Sequence, residues 1–146
     1  MTAQQMWEKY KTIAQIEDNA YDSWAFGSDP DTLAALVLSG KKTATASVAV
    51  LYELEGEALP KAGEYSVILD SKDTALCIIR DTMVSVVPFR DVDTQHARLE
   101  GEGDLSLAYW RDVHRSCFSE WMQEDGLVFT EDTEIVLERF EVVYRP

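Results

Sequence analysis

Lys42 and Thr45, three residues apart in Ser39-Gly40-Lys41-Lys42-Thr43-Ala44-Thr45-Ala46-Ser47, are the first pair in this chain whose types could do chemistry together. An ammonium beside a hydroxyl can lower the hydroxyl's pKa, or hold the oxyanion that develops when the hydroxyl attacks a carbonyl. A bland alternative stands beside this one: Gly40 ends a helix, and the solvated lysines complement the negative helix terminus. Spacing alone favours the bland alternative, since such short patterns are common. The order helix, glycine, strand and the glycine spacing also exclude a phosphate-binding loop.

A second candidate is the acidic pair Glu100 and Glu102 in Glu100-Gly101-Glu102-Gly103. Glycines on either side of a carboxylate let it enter a pocket, where burial raises its pKa toward the range useful for general acid or base work. The same residues also read as a solvated loop leading to a helix capped by Asp104 or Ser106. His114 falls on an apolar stripe and reads as a hydrogen-bonded core histidine, while His96 lies in the polar stretch before the acidic pair. Two histidines without an i, i+4 or H-E-x-x-H pattern predict no metal site, and there is no nucleophile elbow. Tyr21, Trp24 and Phe26 could stack a planar ring, or could form a loop's own small core. Cys77 and Cys117 lie in apolar surroundings without C-x-x-C spacing and read as buried free thiols.

The elements that must position these residues are legible from periodicity. Thr2 caps a helix running to about residue 17, with Met6, Trp7, Tyr10, Ile13 and Ala14 on one stripe. Asp29-Pro30 opens a second helix carrying Leu33, Leu36 and Val37, which Gly40 terminates. From Thr43 the period becomes two: Thr43, Thr45 and Ser47 face one way, and Ala44, Ala46, Val48 and Val50 the other. Tyr65 to Leu69 and Ala75 to Val87 read as strands joined by a Ser71-Lys72-Asp73 hairpin. The stretch from Gln95 to Asp104 reads as a polar loop, and a helix with Leu107, Trp110, Val113, Cys117, Phe118 and Trp121 follows. In the last strand Ile135 and Leu137 are out of phase with Phe140, Val142 and Tyr144, which predicts a bulge near Glu138-Arg139. With no repeat or linker, residues 1–146 are expected to form one α+β domain, a small bent β-barrel with flanking helices.

The chain carries 27 Asp and Glu against 13 Lys and Arg, a net charge of −14. So acidic a chain repels a phosphate backbone, and duplex DNA is excluded as a broad ligand. No apolar run reaches the roughly 18–20 residues of a membrane span, and the first residues lack signal-peptide organisation. The protein is expected to be cytoplasmic, without membrane contact.

Together the motifs resemble the ASCH domain family. The resemblance rests on Gly40-x-Lys42-x-x-Thr45-x-Ser47 preceded by W-x-F-G, and on the downstream runs LPKAGEYSV, CIIRDTMVSVVPF and HARLEGEGDLSLAYWRDVH. It covers Tyr21 onward and points to the larger EGEGD-containing subgroup. It implies a PUA-like fold and a link to RNA metabolism; one branch hydrolyses the acetyl amide of N4-acetylcytidine, and another is linked to ribonuclease activity. Carried over by motif, that hydrolase branch's catalytic residues fall on Lys42, Thr45 and, through His96-Ala97-x-x-Glu100, on Glu100. Ser47 stands where the branch has an arginine, and Glu102 is a second acid.

The implied reaction has Thr45 attack, Lys42 activate it or hold the oxyanion, and Glu100 (alternatively Glu102) pass the proton to the leaving amine. Trp24 and Phe26 would sandwich the base, and Ser47 would bond its edge. No cofactor or metal is implied. The partners would be a nucleoside or short single-stranded RNA. The alternatives are a non-catalytic nucleotide-binding module, and a ribonuclease using Lys41, Lys42, Arg80 and Arg111.

Overall fold

The computed structural model describes residues 1–146. Its helices are α1 (Ala3–Ala14), α2 (Pro30–Leu38), α3 (Ala49–Leu54), α4 (Thr94–Glu100) and α5 (Leu107–Glu124). Its strands are β1 (Asp22–Trp24), β2 (Ala44–Val48), β3 (Tyr65–Leu69), β4 (Ala75–Pro88) and β5 (Glu134–Tyr144). The strands form one sheet in the order β1-β3-β4-β5-β2, parallel only between β1 and β3. Trp24 on one edge strand and Thr45 on the other border the same cavity, so the sheet curls until its edges face each other. This is the expected bent-barrel architecture left open along one seam.

Local chemistry sets the element boundaries. The Thr2 hydroxyl accepts from the Gln5 N–H, and the Gln5 side chain accepts from the Thr2 N–H, giving α1 a reciprocal cap. The Asp29 carboxylate accepts from the Thr32 N–H ahead of Pro30 in α2. Several expectations change: α1 ends at Ala14 and not near residue 17, and Asp22–Trp24, within the expected loop, forms β1. The alternation that ran to Val50 stops at Val48, where the chain turns into α3. The supposed polar loop at Gln95 is α4, because Asp93 caps it by accepting from the His96 N–H and Gly101 closes it in the left-handed region, φ 71°. Its low hydropathy hides a helix that buries one side only.

The sheet's two faces pack differently. Val67 and Ile78 meet Met6, Trp7 and Tyr10 of α1, while Ile13 is exposed and off the packed stripe. Ile68, Cys77, Ile79 and Phe140 point the other way, onto Ala34 and Val37 of α2. A third cluster holds Phe89, Trp110, Phe118 and Ile135 under α5. The expected irregularity by Arg139 is present, but the extra residue lies on the partner strand: Asp81 pairs with Phe140 and Met83 with Arg139, leaving Thr82 over. Ile135 and Val136 are both fully buried, so β5 is covered on both faces there and strict alternation fails.

Candidate functional site

Two polar constellations sit on this frame. The first is built around Lys42, just ahead of β2. Lys41 and Lys42 both donate their backbone N–H groups to the Leu36 carbonyl, and the Thr43 N–H donates to the Leu99 carbonyl at the end of α4. The β2 start is thereby docked on α4. The approach is so close that a Cβ on Gly101 would lie 2.2 Å from the Lys41 carbonyl oxygen. Glycine is thus needed there for space as well as for its positive φ. Gly101→Ala should cost at least about 2 kcal/mol, strain plus backbone displacement, in a urea titration. A loss below about 0.5 kcal/mol would contradict that packing.

This docking delivers Lys42 to the acids. Its Nζ lies 3.1 Å from Glu100 Oε1 and 3.0 Å from Glu102 Oε2, and both Lys42 and Glu100 are 1% exposed. The other Glu100 oxygen accepts from His96 Nε2 at 2.7 Å and from Trp110 Nε1 at 2.6 Å. His114 donates its Nδ1 proton to the Trp110 carbonyl and turns Nε2 toward Glu100 Oε1 at 3.5 Å. Burial opposes ionisation of Glu100, but the Lys42 ammonium and the His114 and His96 donors overcome it and hold the carboxyl well below the usual range. Burial likewise acts to lower His114, and the bond to Glu100 outweighs it, leaving the imidazole raised. His114 is thus the bonded core histidine the stripe suggested. His96, read as a loop residue, is a buried helix residue four positions before Glu100.

Glu100, Glu102 and His114 also offer ligand atoms within 4.8 Å of one another, enough to consider a metal ion. The Lys42 ammonium already lies between the two carboxylates, so an ion would have to displace it. Glu100, expected to move a proton, is enclosed and accepts from Lys42, His96 and Trp110, an arrangement that also fixes the Lys42 ammonium. Phe26 is 5% exposed in the α2 core, its ring centroid 5.4 Å from Lys42 Nζ. Trp24 stands edge-on to it, centroids 4.8 Å apart and planes at 83°. Perpendicular rings in contact cannot sandwich a base between them; Trp24 borders the large cavity between β1 and β2, and Phe26 does not.

The second constellation is a cavity of about 830 Å³ between β1 and β2, within the range of small-ligand sites. Trp24, Thr45 and Ser47 border it, together with Tyr52 and Trp121. Ser47 Oγ and the Tyr52 hydroxyl are 2.8 Å apart. Lys42, Phe26, Glu100 and Glu102 do not border the cavity, so Thr45 faces it while the lysine cluster lies outside its lining. Gly27 lets the loop after β1 close on this wall, since a Cβ there would meet the Trp121 ring at 2.9 Å.

Two residues in the cavity wall escaped the sequence reading. Asp81 and Glu138 are 6% and 9% exposed. Glu138 is paired with Thr45 across β2 and β5, in phase with Phe140, which pairs with Asp81. Burial, then the bond and charge of Asp81, push Glu138 from 4.5 to about 9, so it keeps its proton at neutral pH. Burial raises Asp81 too, against the bond from Glu138. The available signal was a lone acid in the inward phase of each strand: Cys77, Ile79, Asp81 in one and Val136, Glu138, Phe140 in the other.

The family model for the ASCH domain matches residues 22–144. The chain belongs to the ASCH domain family. An ASCH domain structure from Lactobacillus crispatus is 34% identical and superposes with a TM-score of 0.89 over 97% of this chain and 94% of that one. A protein structure from Enterococcus faecalis V583 is 36% identical, with a TM-score of 0.89 over 96% and 86%. An ASCH structure from Zymomonas mobilis, at 12% identity and TM-score 0.51 over 86% and 70%, shares the fold alone. None of the curated proteins matches the chain in sequence. No helix of this ASCH domain is long and apolar enough to cross a membrane.

Proposed function

We propose that this ASCH domain takes a nucleoside-sized substrate into the cavity between β1 and β2 and hydrolyses an amide on its exocyclic amine, as on an N4-acylated cytidine. Thr45 is the attacking hydroxyl: its oxygen takes the acyl group as the C–N bond breaks, its proton goes to the departing exocyclic amine, and water then cleaves the acyl-Thr45 ester to release the acid. Lys42, kept in place by Glu100 and Glu102, is the nearby cation for the developing oxyanion once the substrate has opened the Phe26 side. Trp24 supplies a one-sided stacking face, and Ser47 with Tyr52 a hydroxyl pair for the ligand's edge.

The observation that supports this reading is Thr45 on the wall of a nucleoside-sized cavity, three residues from a completely buried lysine. No Lys, Arg or His borders that cavity, which favours a nucleoside over a phosphate-bearing strand. The four cations a ribonuclease would use do not converge there. Lys42 is enclosed, Arg111 donates to the Arg90 and Val92 carbonyls, and Arg80 lies near Glu141. A nucleoside-binding module without turnover is the second reading, favoured by the exclusion of Lys42 and Glu100 from the cavity lining.

Purified protein incubated with N4-acetylcytidine, followed by chromatography, tests the first reading. Free cytidine is expected, with kcat falling at least about a hundredfold in Thr45→Ala and partly retained in Thr45→Ser. No turnover, or turnover untouched by Thr45→Ala, sinks hydrolysis. Saturable binding of unchanged ligand then leaves the binding module.

A further inference from the structure

Seven carboxyl side chains and no basic side chain border the cavity, along with Tyr21, Trp24 and Trp121. Five of the acids are ordinary rim residues. Asp81 and Glu138 are different, being more than nine-tenths enclosed and still on the cavity wall. Their only mutual partner is each other; no backbone N–H, hydroxyl or cation of the protein reaches either carboxyl, while Glu64 adds charge to both and Asp22 to Glu138. Tyr52, itself raised by burial, faces the same pair. Buried carboxyls in folded proteins normally have donors. Here the donors are missing on the side that opens to a ligand.

We propose that Asp81 and Glu138 anchor a subsite for a planar N–C–N edge rich in N–H donors, lying against the aromatic wall: an amidinium or guanidinium group, or the amino edge of a base such as cytosine. A planar fork of N–H groups satisfies two adjacent carboxyls at once, which a single ammonium does not. The aromatic faces favour the same flat, electron-poor group. The proposal rests on the cavity being the substrate site and specifies which end of the substrate is held, opposite Thr45 across the β2–β5 pair.

The shared proton separates the two sources of this edge. A permanent cation such as benzamidine needs both carboxyls ionised, so its binding expels the proton to solvent. Neutral cytidine accepts that proton's hydrogen bond at its ring nitrogen and gives its amino hydrogens to the carboxyl oxygens, so little is expelled. Uridine presents a carbonyl to the Asp81 carboxylate and is repelled.

Calorimetry on the full chain at pH 7, in buffers of different ionisation enthalpy, decides the matter. Benzamidine or cytidine is expected to bind, uridine at least about tenfold more weakly than cytidine, and benzamidine with release approaching one proton. Asp81→Asn and Glu138→Gln should each weaken binding about tenfold or more, and Glu138→Gln should abolish the proton release. The proton count is read on the unmodified protein and does not depend on the variants folding. The proposal is overturned if neither ligand binds, if uridine matches cytidine, or if both variants bind as the parent does. Binding with proton release but no cleavage of N4-acetylcytidine would end the hydrolysis reading alone. Cleavage with an unchanged KM in Glu138→Gln would end this one alone.

Discussion

Replacing Lys42 with methionine is expected to destabilise the protein by about 3–5 kcal/mol at pH 7, the cost of leaving a buried charge without its partner. Methionine keeps most of the stem's volume, so the loss measures charge more than packing. Glu100 is 1% exposed and loses its counter-ion, and Glu102 at 16% exposure is left beside it. The remaining partners, His96, Trp110 and His114, hydrogen-bond or face the carboxylate, but none is a permanent cation.

The pH dependence has a definite sign. Glu100 sits below the usual carboxylate range, so its contribution is present above that range and is lost as pH falls through the depressed value. Without Lys42 the largest influence lowering Glu100 is gone, and the carboxyl protonates more readily. The gap between parent and Lys42→Met should therefore narrow on acidification. His114, raised by Glu100, contributes below its ordinary 6.5 and loses that contribution as pH rises through the raised value. Adding Glu100→Gln to Lys42→Met should recover part of the loss, since a neutral amide is cheaper to bury than an unpaired carboxylate. Urea titrations at several pH values measure all of this; a single-variant loss under about 1 kcal/mol would mean that the ion pair is open to water.

Glu138→Gln is expected to do the opposite and stabilise the unliganded protein. The carboxyl moves from 4.5 in the unfolded chain to about 9 in the fold. Its folded form holds the proton more tightly, so no penalty exists below about 4.5. Stability is then lost as pH rises toward 9, at about 1.4 kcal/mol per unit for one proton. At pH 7 the glutamine variant should be more stable by about 2–3 kcal/mol, allowing for relaxation around the site. The two proteins should converge near pH 4. Parallel stability profiles across that range would show that the carboxyl ionises freely. A buried acidic pair that lowers stability at neutral pH is the kind of local inconsistency that marks functional sites.

Much of the frame was legible because it rests on local rules. Thr2, Asp29-Pro30 and Ser106 mark three helix starts, and Ser106 accepts from the Tyr109 N–H as a cap should. The β3 and β4 spans follow from composition and from Pro88. The cluster of motifs around Lys42, Thr45 and Glu100 carried the family. Helix α4 was missed because seven residues give too short a window for a helical period, and its buried residues, His96, Ala97 and Glu100, include two that hydropathy counts as polar.

The sequence by itself determined α1, α2, α5 and the longer strands, the family and the brackets around the chemistry, since caps, turns and alternation act within a few residues of each other. Tertiary structure alone decided what those residues face. Lys42 and Glu100 are 58 positions apart, and only the contact of the β2 start with the end of α4 makes them one ion pair. Asp81 and Glu138 are neighbours only through the β4–β5 pairing, with its extra residue at Thr82. The apolar Phe26 lies in the core, and the acids Asp81 and Glu138 lie on the cavity wall. Burial and long-range register set these outcomes, and neither is a property of any short stretch of chain.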